Sequence, residues 1–150
     1  MLARIISGGQ TGVDRAALDV ALARGVACGG WVPRGRRAED GTVPARYPLR
    51  ETPSRSYPER TRRNVADADA TLILTCGPPT GGTALTAVLA ERLAKPLLVV
   101  DLSAKPDAAA VRDWLIQTGT QVLNVAGPRE SSAPGIHALA RAFLDAVLGD

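Results

Sequence analysis

Two stretches of the chain combine glycine with hydroxyl side chains at spacings that suit an anion. The first is Ser7-Gly8-Gly9-Gln10-Thr11-Gly12-Val13-Asp14 and the second is Gly77-Pro78-Pro79-Thr80-Gly81-Gly82-Thr83. In each, an apolar run breaks into glycines and then opens a helix-forming segment. Glycine lets the backbone turn sharply beside a ligand, and a helix start offers unpaired N–H groups at the positive end of its dipole. The expected chemistry is a cradle for phosphate or oxyanion oxygens, made by the amides of Gly8, Gly9, Gln10, Thr11 and Gly12 and of Gly81, Gly82 and Thr83. Thr11, Thr80 and Thr83 would add hydroxyl donors. Ser7-x-Gly9-x-x-Gly12 is one substitution from the dinucleotide-binding fingerprint, with Ser in place of its first Gly.

Positive charge is the second component. The net charge of +3 is unevenly spread: Arg34 to Arg63 holds nine arginines against four acids, a local +5, and only Lys95 and Lys105 are lysines. The planar fork of arginine suits bidentate contact with phosphate or carboxylate. Arg34, Arg36, Arg37 and Arg60 are therefore the candidates for neutralising a ligand, and Asn64 lies four residues beyond Arg60 on the same helix face.

Other chemistries lack their residues. A dinucleotide site wants an acid about 20 residues past the glycines, where this chain has Gly30-Trp31 followed by arginines. The sole histidine, His137, falls on the last helix far from both turns and is expected at the surface, which leaves Ser-His-Asp catalysis unsupported. Cys28 and Cys76 sit in or beside apolar runs and form no CxxC pair, so they are expected as small buried hydrophobes and reduced thiols in the cytoplasm, with no structural metal. Asp14 is expected to complete a capping pair with Thr11, and Trp31 to pack in the core. One local excess of charge is thin support for nucleic-acid binding. No apolar run approaches the roughly 20 residues of a membrane helix, and Met1 leads straight into a strand with no signal-like leader.

The elements that must position these groups can be read from hydrophobic period. The 150 residues, 45% hydrophobic, suit one domain. A strand over Ala3 to Ser7 precedes a helix striped by Val13, Ala16, Ala17, Val20 and Ala21 and stopped at Gly25. A second strand spans about Val26 to Trp31. Arg34 to Ser56 follows neither period and holds three prolines, so a long loop is expected there, of a length usually tied to function or disorder. Ser56-Tyr57-Pro58-Glu59 has capping-box spacing and predicts a helix from Tyr57 to Ala68. Ala70 to Cys76 reads as a central strand, and Ala84 to Ala94 as a nearly uncharged helix buried on most sides. A strand over Leu97 to Leu102, a helix marked by Val111, Trp114, Leu115 and Thr118, a strand over Gln121 to Val125 and a helix striped by Ile136, Leu139, Ala140, Phe143 and Val147 complete the chain.

This alternation predicts an α/β fold: a single doubly wound Rossmann-like domain of about five parallel strands with helices on both faces. Ligands of such sheets bind beyond the carboxyl ends of the strands where strand order reverses. In an order such as 2-1-3-4-5 the first and third strands are neighbours, and the two glycine turns flank one crevice.

Several of these stretches also resemble the molybdenum cofactor carrier protein family. They are Ser7 to Arg15, Gly30 to Gly41, Tyr47 to Thr52, Arg60 to Val65 and Ala126 to Ser131, and the likeness spans essentially the whole chain. That family is similar to the lysine-decarboxylase-like, cytokinin-activating proteins of the SLOG superfamily. The resemblance implies a cytoplasmic homo-oligomer, dimer or tetramer, that stores or delivers molybdenum cofactor, a pterin bearing a phosphate and an oxo-metal, as a small phosphorylated cargo. The hydrolase relatives carry Pro-Gly-Gly-x-Gly-Thr-x-x-Glu with a catalytic Glu. Here Thr86 stands where that acid would be, which favours a carrier over an enzyme. The alternatives are a phosphoribohydrolase-like enzyme, with Glu39, Asp40 or Glu91 as the acid, and a sensor of nucleotide or ADP-ribose-type ligands.

Overall fold

The computed structural model describes residues 2–149. The chain opens with β1 (Arg4–Ile6), turns through the first glycine stretch into α1 (Val13–Arg24), and returns as β2 (Ala27–Gly29) parallel to β1. α1 ends at Gly25, whose left-handed backbone closes the last turn on Ala21 and Leu22 as a C-cap glycine does.

The strand expected to run on to Trp31 is broken at Gly30. Its φ of 130° puts it where a side chain would collide with the Ser7 carbonyl, so the chain swings away. β3 (Trp31–Val32) then pairs in parallel with β6 (Arg50–Glu51), and between them β4 (Arg37–Ala38) and β5 (Gly41–Thr42) form a hairpin. The segment expected as an irregular loop is thus an ordered subassembly. Its own apolar cluster joins Val32, Ala38, Val43, Tyr47 and Leu49 to Leu18 of α1.

α2 (Tyr57–Asp67) begins after Ser56 with Pro in its first turn, as the sequence predicts, but Ser56 makes no side-chain capping bond, so the expected capping box does not form. β7 (Ala70–Thr75) is buried throughout, and α3 (Gly81–Arg92) starts three residues earlier than the hydrophobic pattern indicates, taking both glycines into its first turn. β8 (Leu97–Asp101), α4 (Ala108–Thr118), β9 (Val122–Ala126) and α5 (Ile136–Leu148) follow.

The main sheet has five parallel strands in the order β2-β1-β9-β7-β8. The first and third long strands are therefore not neighbours, contrary to the order expected from sequence: β9 lies between them, with Ile5 opposite Leu123 on one side and Leu123 opposite Ala70 on the other. Counted from β9, the sheet reads third, second, first, fourth, fifth, which is the usual doubly wound order. The strand that begins that order comes last in this chain.

α1, α4 and α5 cover one face with the larger core, including Val13, Val20, Leu72, Leu123, Ile136 and Leu144. α2 and α3 cover the other, where the strands present Thr71, Thr75 and Asn124, all buried. α3 departs from expectation: only Thr83, Thr86 and Ala90 are buried, and Val88 is 41% exposed, because none of the described elements packs on its outer side. Cys76 is likewise exposed and Cys28 half-buried, neither being the buried hydrophobe expected.

Candidate functional site

A cavity of about 510 Å³ opens at the carboxyl edge of the sheet where α2 and α3 part over β9. Its walls come from the first turn (Gly8, Gln10), from Asp14 of α1, from α2 (Tyr57, Arg60, Asn64), from the start of α3 (Thr80 to Thr83, Thr86), and from Asn124 and the turn after β9. Both glycine turns reach it, yet they present different surfaces.

The first turn is closed on itself. The Gly9 amide donates to Ser7 Oγ at 3.5 Å, the Gln10 amide to Asp14 Oδ2 at 3.2 Å, the Thr11 amide to Gln10 Oε1 at 3.1 Å and the Val13 amide to the Pro128 carbonyl at 3.3 Å. These four N–H groups are taken before any ligand arrives. Thr11 Oγ1 donates to Glu39 and accepts the Glu130 amide, so this hydroxyl is also engaged and lies outside the cavity wall. Val43 and Leu49 close over Gly9 from outside, and Gly12 abuts the 128–130 backbone.

The α3 turn is open. Thr80 makes no side-chain cap, no acid stands in the first turn, and Thr80, Gly81 and Gly82 are exposed to the cavity. Thr83 is buried beside them and Thr86 Oγ1 donates back to the Gly82 carbonyl at 2.9 Å. Other helix starts carry their own acid. Glu130 accepts the Gly135 and His137 amides at the start of α5, and Asp107 caps α4. The start of α3 thus has neither a side-chain cap nor an acid in its first turn.

Of the arginines expected at the ligand, only Arg60 lines the cavity. It is 8% exposed, donates to the Gly8 carbonyl and to Thr61 Oγ1, and lies 5.1 Å from the Tyr57 ring centre. Burial pulls its guanidinium down from the ordinary value, partly countered by the charge of Asp14. Arg36 instead donates to the carbonyls of Val43, Pro44, Leu49 and Tyr47, holding the subassembly together. Arg37 reaches the Arg55 carbonyl and stacks on the outer side of Tyr57 at 4.5 Å, and Arg34 is exposed; neither lines the cavity. Asn64 touches the cavity, but both ends of its carboxamide bind the Trp31 backbone, at 2.7 and 3.1 Å. Trp31 is half-buried between Arg50 and Arg63 with its indole N–H on Asp67, beside a second, smaller cavity.

The lining residues that the sequence does not point to include Asn124, Arg129, Tyr57 and Asp14. Asn124 is a polar residue inside an apolar strand, a signal that was available. Arg129 lies in a third glycine turn, Gly127-Pro128-Arg129, which occupies the place of the first turn in an ordinary doubly wound sheet. Tyr57 carries no signal beyond its helix start. Asp14 does not pair with Thr11 as a cap. It is buried in the wall, and desolvation raises its carboxyl from 3.8 to about 6 against the pull of Arg60, the Gln10 amide, Arg15 and Arg129.

The carboxylates weighed for catalysis stand apart from the cavity. Glu39 binds Thr11 and both donors of Ser131; burial lifts its pKa, but those bonds and Arg129 hold it below the ordinary value. Asp40 forms a bidentate pair with Arg15 at 2.6 and 2.8 Å, whose hydrogen bond lowers its carboxyl, and Glu91 is exposed at the far end of α3. Asp14 is the one carboxylate among the described lining residues. No group of three or more metal-binding side chains converges among the described residues. His137, expected at the surface, is half-buried and sets Nε2 2.8 Å from Asp19.

Comparison with known proteins agrees with this architecture. A crystal structure of a proposed molybdenum carrier protein from Syntrophus aciditrophicus SB superimposes with a TM-score of 0.94 at 44% identity, over 99% of this chain and 96% of that one. No protein of curated function matches. Residues 5–148 match the model of a family described as the circularly permutated YpsA SLOG family, and the displaced central strand β9 is what such a permutation produces. The chain belongs to the circularly permutated YpsA SLOG family.

Proposed function

We propose that the cavity binds a phosphate-containing ligand and that the protein carries or stores it, the cargo being molybdenum cofactor. The observation that carries this reading is the uncapped, acid-free start of α3, facing a cavity that also holds two guanidiniums, Arg60 and Arg129. The free amides of Gly81 and Gly82 would hold phosphate oxygens, with Thr80 and Thr83 adding hydroxyls and Arg129 adding positive charge. Gln10 supports it independently: its Nε2 is buried with no acceptor, a cost of about 1–3 kcal/mol that a ligand oxygen would remove. The 44%-identical relative bears the name of a molybdenum carrier, which suits a molybdenum-containing cargo.

The volume is within the usual range of about 300–1,000 Å³ for small-molecule sites. The unpaired cysteines suit a reducing cytoplasm. The open apolar strip of α3 suits self-association into the expected dimer or tetramer, which light scattering would measure. Among the described residues no helix is long and apolar enough to cross a membrane.

Metal and pterin analysis of protein purified without oxygen is the direct test, with molybdenum and pterin expected in equal amounts. A nucleotide co-purifying with no molybdopterin would sink the carrier reading and spare the pocket. Free base released from nucleoside monophosphates would favour the hydrolase alternative, with Asp14 as the cavity's carboxyl.

A further inference from the structure

Asp14 is an odd neighbour for an anion. Its carboxylate forms no salt bridge among the described residues, and the one hydrogen bond to that carboxylate is the Gln10 amide on Oδ2 at 3.2 Å. A phosphate drawn to the α3 start would be repelled by this carboxylate, so the ligand part at this end of the cavity must be of another kind. Burial, which raises the Asp14 carboxyl despite Arg60, Arg15 and Arg129, sharpens its need for a donor.

Beside it, Gln10 Oε1 accepts the amides of Thr11 at 3.1 Å and Glu39 at 2.8 Å. Those bonds fix which end of the carboxamide is oxygen, so the end left over is an N–H donor, and it lacks an acceptor. An acceptor on Asp14 and a vacant donor on Gln10, joined through the Gln10 amide, complement a ring edge in which N–H stands next to C=O. That edge is a lactam. An amino group on the carbon beyond the N–H supplies a second donor, which a carboxylate can accept in parallel with the first. Adenine turns a lone pair toward the carboxylate at the position of the lactam N–H and is mismatched.

We propose that Asp14 and Gln10 read the heterocycle edge of the ligand, and that the cavity selects phosphorylated rings of the 2-amino-lactam type, as in guanine or a pterin, over adenine. The assignment rests on the reading of the α3 start as the phosphate end, since that orientation turns the ring toward Asp14.

Calorimetric titration with guanosine, inosine and adenosine 5′-monophosphates isolates the edge, because the three share ribose and phosphate. Guanosine monophosphate is expected to bind about tenfold or more tighter than adenosine monophosphate, with inosine monophosphate between. Asp14→Asn keeps an oxygen for the Gln10 amide and should bring the guanosine-to-adenosine ratio close to one. The wild-type ranking decides the matter even if the variant folds poorly. Equal affinities, or a ratio unchanged in Asp14→Asn, overturn the edge assignment and leave the phosphate pocket standing. Failure of all three to bind, with no competition from pyrophosphate for a fluorescent nucleotide, removes the pocket and the assignment together.

Discussion

The two glycine turns look alike in sequence and do opposite things. Around Ser7 to Gly12, glycine lets other parts of the chain come close: Leu49 and Val43 roof Gly9, the Pro128 carbonyl meets Gly12, and the amides are bonded internally. Around Gly81 and Gly82, a hypothetical Cβ meets nothing within 4 Å. One turn uses glycine for packing and the other for access. Which use applies depends on what the rest of the fold places against the turn, and no local motif carries that information.

The contrast can be broken most forcefully at Gly12. Its φ is 79°, and an added Cβ would strike the Pro128 carbonyl and stand 2.9 Å from the Glu130 nitrogen, both backbone. Gly12→Ala should cost about 3 kcal/mol or more in denaturant unfolding, whereas Gly82→Ala should change stability by less than about 1 kcal/mol. Equal effects would erase the distinction.

Next in size is Asp14. Its folded pKa of about 6 lies above the ordinary 3.8, so the folded state holds the proton more tightly and loses stability as pH rises between those values. The loss amounts to up to about 3 kcal/mol. Asp14→Asn should therefore match wild type in acid, below the ordinary carboxyl range, and exceed it at neutral pH. A stability difference independent of pH would show that Asp14 is not buried as an unpaired acid.

A smaller change sharpens the access side. Gly82→Asp puts a carboxylate at the α3 start, which should hold or slightly raise stability while weakening phosphate-ligand binding at least about tenfold. Unchanged affinity would place the anion elsewhere. Glu39→Gln should be mildest, loosening the clasp on Thr11 and Ser131 by about 1 kcal/mol in thermal unfolding with no direct effect at the cavity wall.

The local pattern carried much of the fold and less of the site. The end of α1 is legible from its stripe and Gly25, and the start of α2 from Pro58, because helix periodicity and the residues that start and stop a helix are written in neighbouring positions. The position of β9 could not be read that way, since strand pairing joins residues more than 50 apart, as Leu123 joins Ala70. The roles within the arginine-rich segment are hidden from the sequence for a related reason. Arg36 holds four carbonyls of its own segment, and nothing in its sequence neighbourhood separates it from Arg60, which reaches the cavity.

The place of β9 also constrains how the molecule assembles. β1 pairs with β2 and β7 with β8, but β1 and β7 share no ladder; each finds its inner partner only in residues 122–126. The inner edges of both strand pairs can be closed only by residues 122–126, the last strand of the main sheet in chain order. Closure of the sheet therefore rests on contacts of long sequence separation, the kind of pairing that slows folding and leaves strand edges open until it is made.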